Sequence, residues 1–492
     1  MSGKVFLIGA GPGDAGLLTQ KGARILSEAE VVVYDRLVGE GVLALMPREA
    51  ELINVGKQVA NHPVPQYRIN EILLEKAQQG KRVVRLKGGD CFLFGRGGEE
   101  LELLTEHGIP FEVVPGVPSP IAATAYAGIP ITHRDFCSSV HFITGHKKQD
   151  GELQLDYEAL TRLNGTLVFM MSVASCPEIA AGLIAAGMDA AMPCAIIENG
   201  TRLEQRKVVT TLSELGEAVT AHRIVSPALI VVGKVCTLSD RFDWFTTLPL
   251  HGVRILVTAP AGSTGRLSQQ LSALGAAVTA LPAIETRPLA FDLPDLTGVK
   301  LLCFTSAAGV TAYFDRLFRA GLDARALGGV RIAAVGAATA ASLRQYGLVA
   351  DWVPPVYSGE ALANELLQNG FLVPGDTALL LRAREAAPEL PTLLSAAGVR
   401  VRETAVYETL PLSMGSVDPS GYACVTFTSK SCVDSFHAAC TAGNFINYHG
   451  IHALCIGEKT ADAARALGMQ VQVSQQATID SMVNSILEAY QA

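Results

Sequence analysis

The feature that most constrains this chain is that its second half is written twice. FTSAAGVTAYF at 304–314 returns as FTSKSCVDSFH at 427–437, AAVGAATAASLRQYG at 333–347 as LCIGEKTADAARALG at 454–468, and GAAVTALPAIET at 275–286 as GVRVRETAVYET at 398–409. The offsets are 123, 121 and 123 residues. Three matched stretches in one order and at one spacing imply two similar lobes made from a duplicated unit. Within each copy, runs such as ILVT, LLCF and RIAAV alternate with helical spacing of the kind shown by Leu267, Leu271 and Leu274. That alternation predicts an α/β fold, a parallel sheet covered by helices, with a ligand cleft between the lobes.

The first half is a separate unit. It runs from Val5 to about Val235, where SPALIVVGKV reads as a closing strand, and the aromatic and Pro/Gly-marked DRFDWFTTLPLHG precedes a fresh strand RILVT at 254–258. Residues 240–252 are therefore the linker candidate, and the expected domains are 1–245 and 246–492. At 492 residues and 49% hydrophobic, the chain has material for several cores. Its longest apolar runs, such as PALIVVG at 227–233, fall far short of the roughly 20 residues a bilayer demands. With no basic-then-apolar leader at the N-terminus, the expectation is a soluble, cytoplasmic protein without a membrane partner. A net charge of −8 with no Lys/Arg block argues against nucleic acid. Ten cysteines stand singly, without a CxxC pair, so neither a metal site nor a disulfide framework is expected.

The chain opens with MSGKVFLIGAGPGDAGLLTQ. A dinucleotide fingerprint needs G-x-G-x-x-G between strand and helix, with an acidic residue about 20 positions later. Gly9 and Gly11 fit, but Asp14 occupies the third position, Gly13 comes one place early and Pro12 lies inside the turn. An anionic Asp14 suits a helix N-terminus and would repel a pyrophosphate there. Asp35 nonetheless ends the second strand, EVVVYDRLV, at the distance of a ribose ligand. Taken alone, the turn leaves a nucleotide site and a bare strand-to-helix turn both open.

Two further turns follow in the first half, VVRLKGGDCFLFGRGGEE at 83–100 and VVPGVPSPIAATAYAGIPITHR at 113–134. Together GAGPGD, YDRLV, GGDxFxFGRGGEE, AYAGIPxTHR, TGH, TLVFMM, ENGT and SPALIVVG resemble, in order over residues 4–236, the tetrapyrrole methylase family and within it the uroporphyrinogen-III C-methyltransferases. The resemblance implies two α/β subdomains around a cleft, and transfer of methyl groups from S-adenosyl-L-methionine to C2 and C7 of uroporphyrinogen III to give precorrin-2. No metal is implied, because a sulfonium is a strong electrophile and the chemistry asks chiefly for positioning. By the same resemblance Asp35 is the candidate base and Lys57 the candidate proton donor. Cofactor contacts carry over to Pro12, Gly88, Gly89, Asp90, Leu93, Pro118, Ser119, Met171 and Gly200, held largely by backbone, which the glycines permit. Cys91 stands where proline is usual, Ser172 where glycine is common, and Pro118 with Ser119 where a small pair is often seen. A homodimer through this half is implied.

The duplicated half resembles uroporphyrinogen-III synthase through RILVTAP, FTSAAGV, AAVGAATA, SGEALA, ETAVYET, FTSKS, IGEKTADAA and TIDSMVNSI, from about 253 to 487. Ala259 departs from a frequent arginine. The resemblance implies closure of hydroxymethylbilane with inversion of its last pyrrole and loss of water. It also implies interleaved lobes, 251–287 plus 410–492 and 288–409. A substrate with many carboxylates suits hydroxyls and amides at strand-to-helix turns: Thr305, Ser306, Thr339, Ser358, Thr428, Ser429 and Thr460. Tyr407 in AVYET is the candidate that helps the hydroxyl leave. The first rival is a nicotinamide-dependent dehydrogenase joined to another domain. The second treats the C-terminal lobes as a non-catalytic binding module. Whether the product leads to sirohaem or cobalamin is open at this level.

Overall fold

The computed structural model describes residues 3–491 apart from 48, 57–63, 146–152, 262–263 and 413. Lys57 thus lies outside the described residues. The chain forms two compact units, one of Met1–Ile255, Ser268–Ala280 and Leu487–Ala492, the other of Leu256–Leu267 and Leu281–Ile486.

The first unit carries two five-stranded sheets. One contains β1 (Lys4–Gly9), β2 (Val31–Tyr34), β3 (Glu51–Asn54), β4 (Arg82–Lys87) and β5 (Phe111–Val114), in the order β3-β2-β4-β1-β5 and all parallel. Runs such as VFLIG and VVVY are buried on both faces, as a parallel sheet between helices requires. Val5 and Leu7 meet Ile69, Leu73 and Leu104 from the helices Gln66–Gln78 and Gly97–Glu106, while Phe6 and Ile8 pack with Ile25 and Leu26 on the other side. The alternation along β1 therefore serves two cores.

The other sheet contains β6 (Val140–Thr144), β7 (Thr166–Met170), β8 (Pro193–Glu198), β9 (Arg206–Thr211) and β10 (Ala228–Val232), in the order β6-β7-β10-β8-β9. Only β6 and β7 run parallel; β10 is antiparallel to both neighbours, and β9 to β8. One face packs on the helix Cys176–Ala185. The other, through Val168, Ala195, Ile197 and Val231, receives Ala123 and Ala127 from the helix Ser119–Tyr126 and the residue after it. That helix leaves the first sheet after β5, so it joins the two subdomains.

Most of a nine-stranded sheet lies in the second unit: β11 (Arg254–Pro260), β12 (Ala277–Pro288), β13 (Leu301–Phe304), β14 (Arg331–Ala334), β15 (Thr377–Ala383), β16 (Arg400–Pro411), β17 (Cys424–Phe427), β18 (His452–Cys455) and β19 (Gln470–Val473). Its order, β14-β13-β15-β16-β12-β11-β17-β18-β19, reads the same outward from the antiparallel pair β16/β12, with β19 added at one end. At the matching place on the other side there is a single bridge, Ala333 to Trp352. In the central pair Thr286 stands opposite Thr409, its own copy in the sequence repeat, and Ile284–Pro411 maps onto Tyr407–Pro288. The duplication thus becomes a pseudo-two-fold axis through one residue pair. Separate cores lie on either side of it, around Phe304, Phe314 and Leu381 in one lobe and Phe427, Phe436 and Val433 in the other.

Ion pairs tie the first sheet at its edge. Glu112 on β5 accepts from Lys21 and from Lys4 of β1, each at 2.6 Å, and these bonds hold its carboxyl down at about 2. Because the folded value lies below the ordinary one of 4.5, the pair's contribution is full above that pH and is lost as pH falls toward 2. Glu112→Gln should lower the unfolding midpoint modestly at neutral pH, because the pair is partly screened by solvent, and leave it unchanged near pH 2, so that the acid limb flattens. An unchanged acid limb would show that the pair adds nothing.

Candidate active site

Three strand-end turns of the first sheet meet backbone to backbone. Gly11, after β1, and Gly89, after β4, exchange two hydrogen bonds, Gly11 N to Gly89 O at 3.1 Å and Gly89 N to Gly11 O at 2.8 Å. Both are in the left-handed region, with φ of +73° and +71°. A Cβ on Gly9 would lie 2.5 Å from the amide nitrogen of Gly116, and one on Gly116 would lie 2.3 Å from the carbonyl oxygen of Gly89. Asp90 locks the third turn to the second: Oδ2 accepts from Gly116 N at 3.1 Å, and Oδ1 from Phe92 N and Leu93 N at 2.8 and 3.1 Å. Pro118 then starts the helix Ser119–Tyr126. The structure thus brings Pro12, Gly88, Gly89, Asp90, Leu93, Pro118 and Ser119 to the carboxyl edge of one parallel sheet, where ligands of open α/β sheets bind.

The residue that broke the dinucleotide register has an occupation of its own. Asp14 Oδ1 caps the next turn through Gly16 N at 2.7 Å, and Oδ2 accepts from the Tyr126 hydroxyl at 2.6 Å. Burial, and then the Asp14 carboxylate, push the Tyr126 phenol up. Asp14 N also donates to Thr201 Oγ1 at 3.3 Å, which draws in the ENGT turn after β8. Gly200 in that turn has no room for a side chain, since a Cβ would lie 2.2 Å from that of Ala123. Met171 follows β7 with φ +55° and is 51% exposed, so it is not core. β7 and β8 are both antiparallel to β10, which puts Met171 and Gly200 at the same edge of the second sheet.

Asp35 follows β2, and its loop packs on the second turn, where a Cβ on Gly88 would lie 2.7 Å from that of Leu37. Its Oδ1 takes a hydrogen bond from Arg85 Nη2 at 2.8 Å. Arg85 is 1% exposed, and its Nε donates to Glu100 Oε1 at 3.0 Å. The same oxygen receives Lys87 Nζ at 2.7 Å and Gln66 Nε2 at 3.2 Å. Burial opposes the charge of Arg85, but Glu100 and Asp35 outweigh it and raise its pKa. Two cations, Arg85 and Lys87, therefore balance two carboxylates, Glu100 and Asp35, and the Asp35 side chain keeps 29% exposure. Sequence reading missed Arg85, Lys87 and Glu100. The signal was present: Arg85 alternates with apolar residues in the strand RVVRLK, and a charge inside a parallel sheet must be paired.

The departures are accommodated. Cys91 is fully buried, its carbonyl accepts from Gly97 N at 3.1 Å, and burial pushes its thiol up to about 12. Ser172 is buried with its hydroxyl on Phe169 O at 3.3 Å, and Ala259 is buried in β11. All ten cysteines are free thiols.

In the second unit, Ser306, Ser358 and Ser429 each cap a helix, accepting from Gly309, Ala361 and Cys432 amides at 3.1, 3.1 and 3.3 Å. Thr305 donates to Leu381 O at 3.4 Å, Thr428 contacts Cys432 Sγ at 3.7 Å, and Thr339 and Thr460 are buried in the repeat-related helices Ala337–Gln345 and Glu458–Ala466. Those two helices start at Gly336 and Gly457 without a side-chain cap. Tyr407, on β16, is half-buried against the core of one lobe, and its phenol oxygen accepts from Ser306.

Residues 4–216 match the family of tetrapyrrole (corrin/porphyrin) methylases, and residues 265–484 match uroporphyrinogen-III synthase HemD. The porphyrin biosynthesis protein HemD of Ruminiclostridium josui is 44% identical over 498 residues, covering 99% of this chain and 98% of that protein. The chain belongs to this fused methylase and synthase family. It is a tetrapyrrole-biosynthetic enzyme with a methyltransferase and a uroporphyrinogen-III synthase in one polypeptide. The siroheme synthase of Salmonella typhi is 54% identical over 244 residues, 50% of this chain; the chain spans about half the length of that relative, 52%. Two solved structures are also similar. Uroporphyrin-III C-methyl transferase from Thermus thermophilus, complexed with S-adenyl homocysteine, is 41% identical with a TM-score of 0.41, covering 47% of this chain and 93% of that one. A mutant uroporphyrinogen III synthase, also from Thermus thermophilus, is 22% identical with a TM-score of 0.36, covering 49% and 99%. Among the described residues no helix is long and apolar enough to cross a membrane.

The glycine junction generates a direct test. Gly116→Ala should cost about 1–3 kcal/mol, because its new methyl meets backbone that cannot turn aside. Gly98→Ala, with nothing within 4 Å, should be neutral or slightly stabilising. Chemical unfolding of the two variants compares them, and equal stability would remove the steric account.

Proposed function

We propose that the second half closes hydroxymethylbilane to uroporphyrinogen III with loss of water, and that the first half transfers two methyl groups from S-adenosyl-L-methionine to C2 and C7 of that product, giving precorrin-2. The observation that carries this reading is the neighbourhood of two features. A cradle of strand-end turns, in which Gly9, Gly88 and Gly116 have no room for a Cβ, lies beside a carboxylate aimed by a buried arginine. The cradle suits S-adenosylmethionine, since Gly88, Asp90, Leu93, Pro118 and Ser119 lie at its strand-end turns and are only part-buried there. Bound there, it supplies an electrophilic methyl group.

The chain's residues then have distinct tasks. Arg85 fixes the Asp35 carboxylate through Oδ1, and Oδ2, which accepts no side-chain hydrogen bond among the described residues, takes the proton that the substrate releases. In the second half, the uncapped first turns after Gly336 and Gly457 offer N–H groups to substrate carboxylates, with Thr339 and Thr460 one turn on. Tyr407 helps the hydroxyl depart. The working boundary between the activities falls at 245/246, with lobes of 251–287 plus 410–492 and 288–409.

Purified protein given hydroxymethylbilane should yield uroporphyrinogen III, and with S-adenosylmethionine added, a product heavier by two methyl groups. The type I isomer, or no mass gain, would contradict the reading. Asp35→Ala should lower methylation by about 10²-fold or more and leave cyclisation intact. Equal loss of both activities would sink the assignment of separate sites.

A further inference from the structure

The two copies of the duplicated unit differ where their first helices begin. In one, Ser306 accepts from the amide of Gly309 at 3.1 Å and gives its hydroxyl proton to the phenol oxygen of Tyr407 at 2.9 Å. In the other, Ser429 accepts from the amide of Cys432 at 3.3 Å and gives its proton to the sulfur of that same residue, also at 3.3 Å. The strand position that matches Tyr407 across the pseudo-two-fold axis is Ile284, buried and apolar. The scaffold repeats, but the serine-to-phenol link occurs in one copy.

We propose that Ser306 is a positioning residue for Tyr407 in the ring-closing reaction, fixing the phenol as a hydrogen-bond donor toward the substrate. This rests on the reading of Tyr407 as the group that helps the hydroxyl leave. Ser306 has one proton, committed to Tyr407, while its oxygen holds the helix cap, so the serine cannot rotate to serve the substrate without giving up one of the two. The phenol oxygen, having received a bond, keeps its own O–H to give away. A hydroxyl that accepts a hydrogen bond is also polarised into a stronger donor. In the step served, the bond from the bilane's terminal methylene carbon to its hydroxyl breaks with the electron pair on oxygen. The phenol proton joins that oxygen to give water, and the proton lost from the pyrrole carbon that forms the ring bond restores the phenol.

The test uses the full chain and reads kcat and KM for uroporphyrinogen III formation. Glycine is an N-cap within a few tenths of a kcal/mol of serine, so Ser306→Gly removes the donor and spares the helix. Ser306→Thr keeps both the cap and the donor. The expected result is a drop in kcat of about fivefold for Ser306→Gly with KM unchanged, and activity restored in Ser306→Thr. In a Tyr407→Phe background, Ser306→Gly should add no further loss. Losses that multiply in the double variant, a change in KM alone, or a Ser306→Thr variant as slow as Ser306→Gly would overturn the proposal and leave the Tyr407 reading standing. A Tyr407→Phe variant with normal turnover would end both.

Discussion

Contact between bare backbones is the constraint on which the first unit depends. Gly11 and Gly89 are bonded to each other with no side chain between them, and Gly9 and Gly116 close the same junction at separations that no Cβ tolerates. Everything at the carboxyl edge of the sheet is positioned from there. Asp90 reaches from the second turn to the third, and the loop carrying Asp35 rests on Gly88. The loop after β1 reaches the second sheet through Asp14, Tyr126 and Thr201. A few hydrogen bonds between turns thus register two sheets against each other.

Buried charge is the second organising element. Carrying Arg85, Lys87 and Glu100 into the interior is unfavourable for stability, and such groups persist where geometry depends on them. Here the geometry is the direction of one half-exposed carboxylate. Asp35 is held from beneath by a side chain that has no freedom to move, because Arg85 also bonds the carbonyls of Leu86 and Val33 at 3.2 and 3.4 Å.

Much of this was legible in the sequence, but unevenly. The repeat announced the two lobes, and because the repeat also contains the strands β12 and β16, it implied a related pair of strands, though not that Thr286 and Thr409 would face each other. The glycine turns announced a ligand edge, since glycine spacing is a local property. The partners of the charges were not legible, because Glu100 lies on a helix 15 residues from Arg85 and only tertiary packing brings them together. Asp14 visibly breaks the dinucleotide pattern in the sequence, yet its bond to Tyr126 spans 112 residues and leaves no local trace. The serines of the second half are candidate carboxylate ligands by resemblance, although a serine at a strand-to-helix turn is more often a cap; Ser306, Ser358 and Ser429 are caps, and the bond to Tyr407 separates Ser306 from the rest.

The register at Thr286 and Thr409 has one more consequence. It is the pattern of an isologous contact, the kind by which two identical subunits meet across a dyad. Identical subunits are obliged to carry the same residue at equivalent positions, so each would present a tyrosine or each an isoleucine. Joining the copies in one polypeptide lifts that obligation, and the chain uses the freedom at Tyr407 and Ile284. A symmetric frame thereby acquires a head and a tail, which is what an enzyme needs if it is to tell one end of a linear molecule from the other.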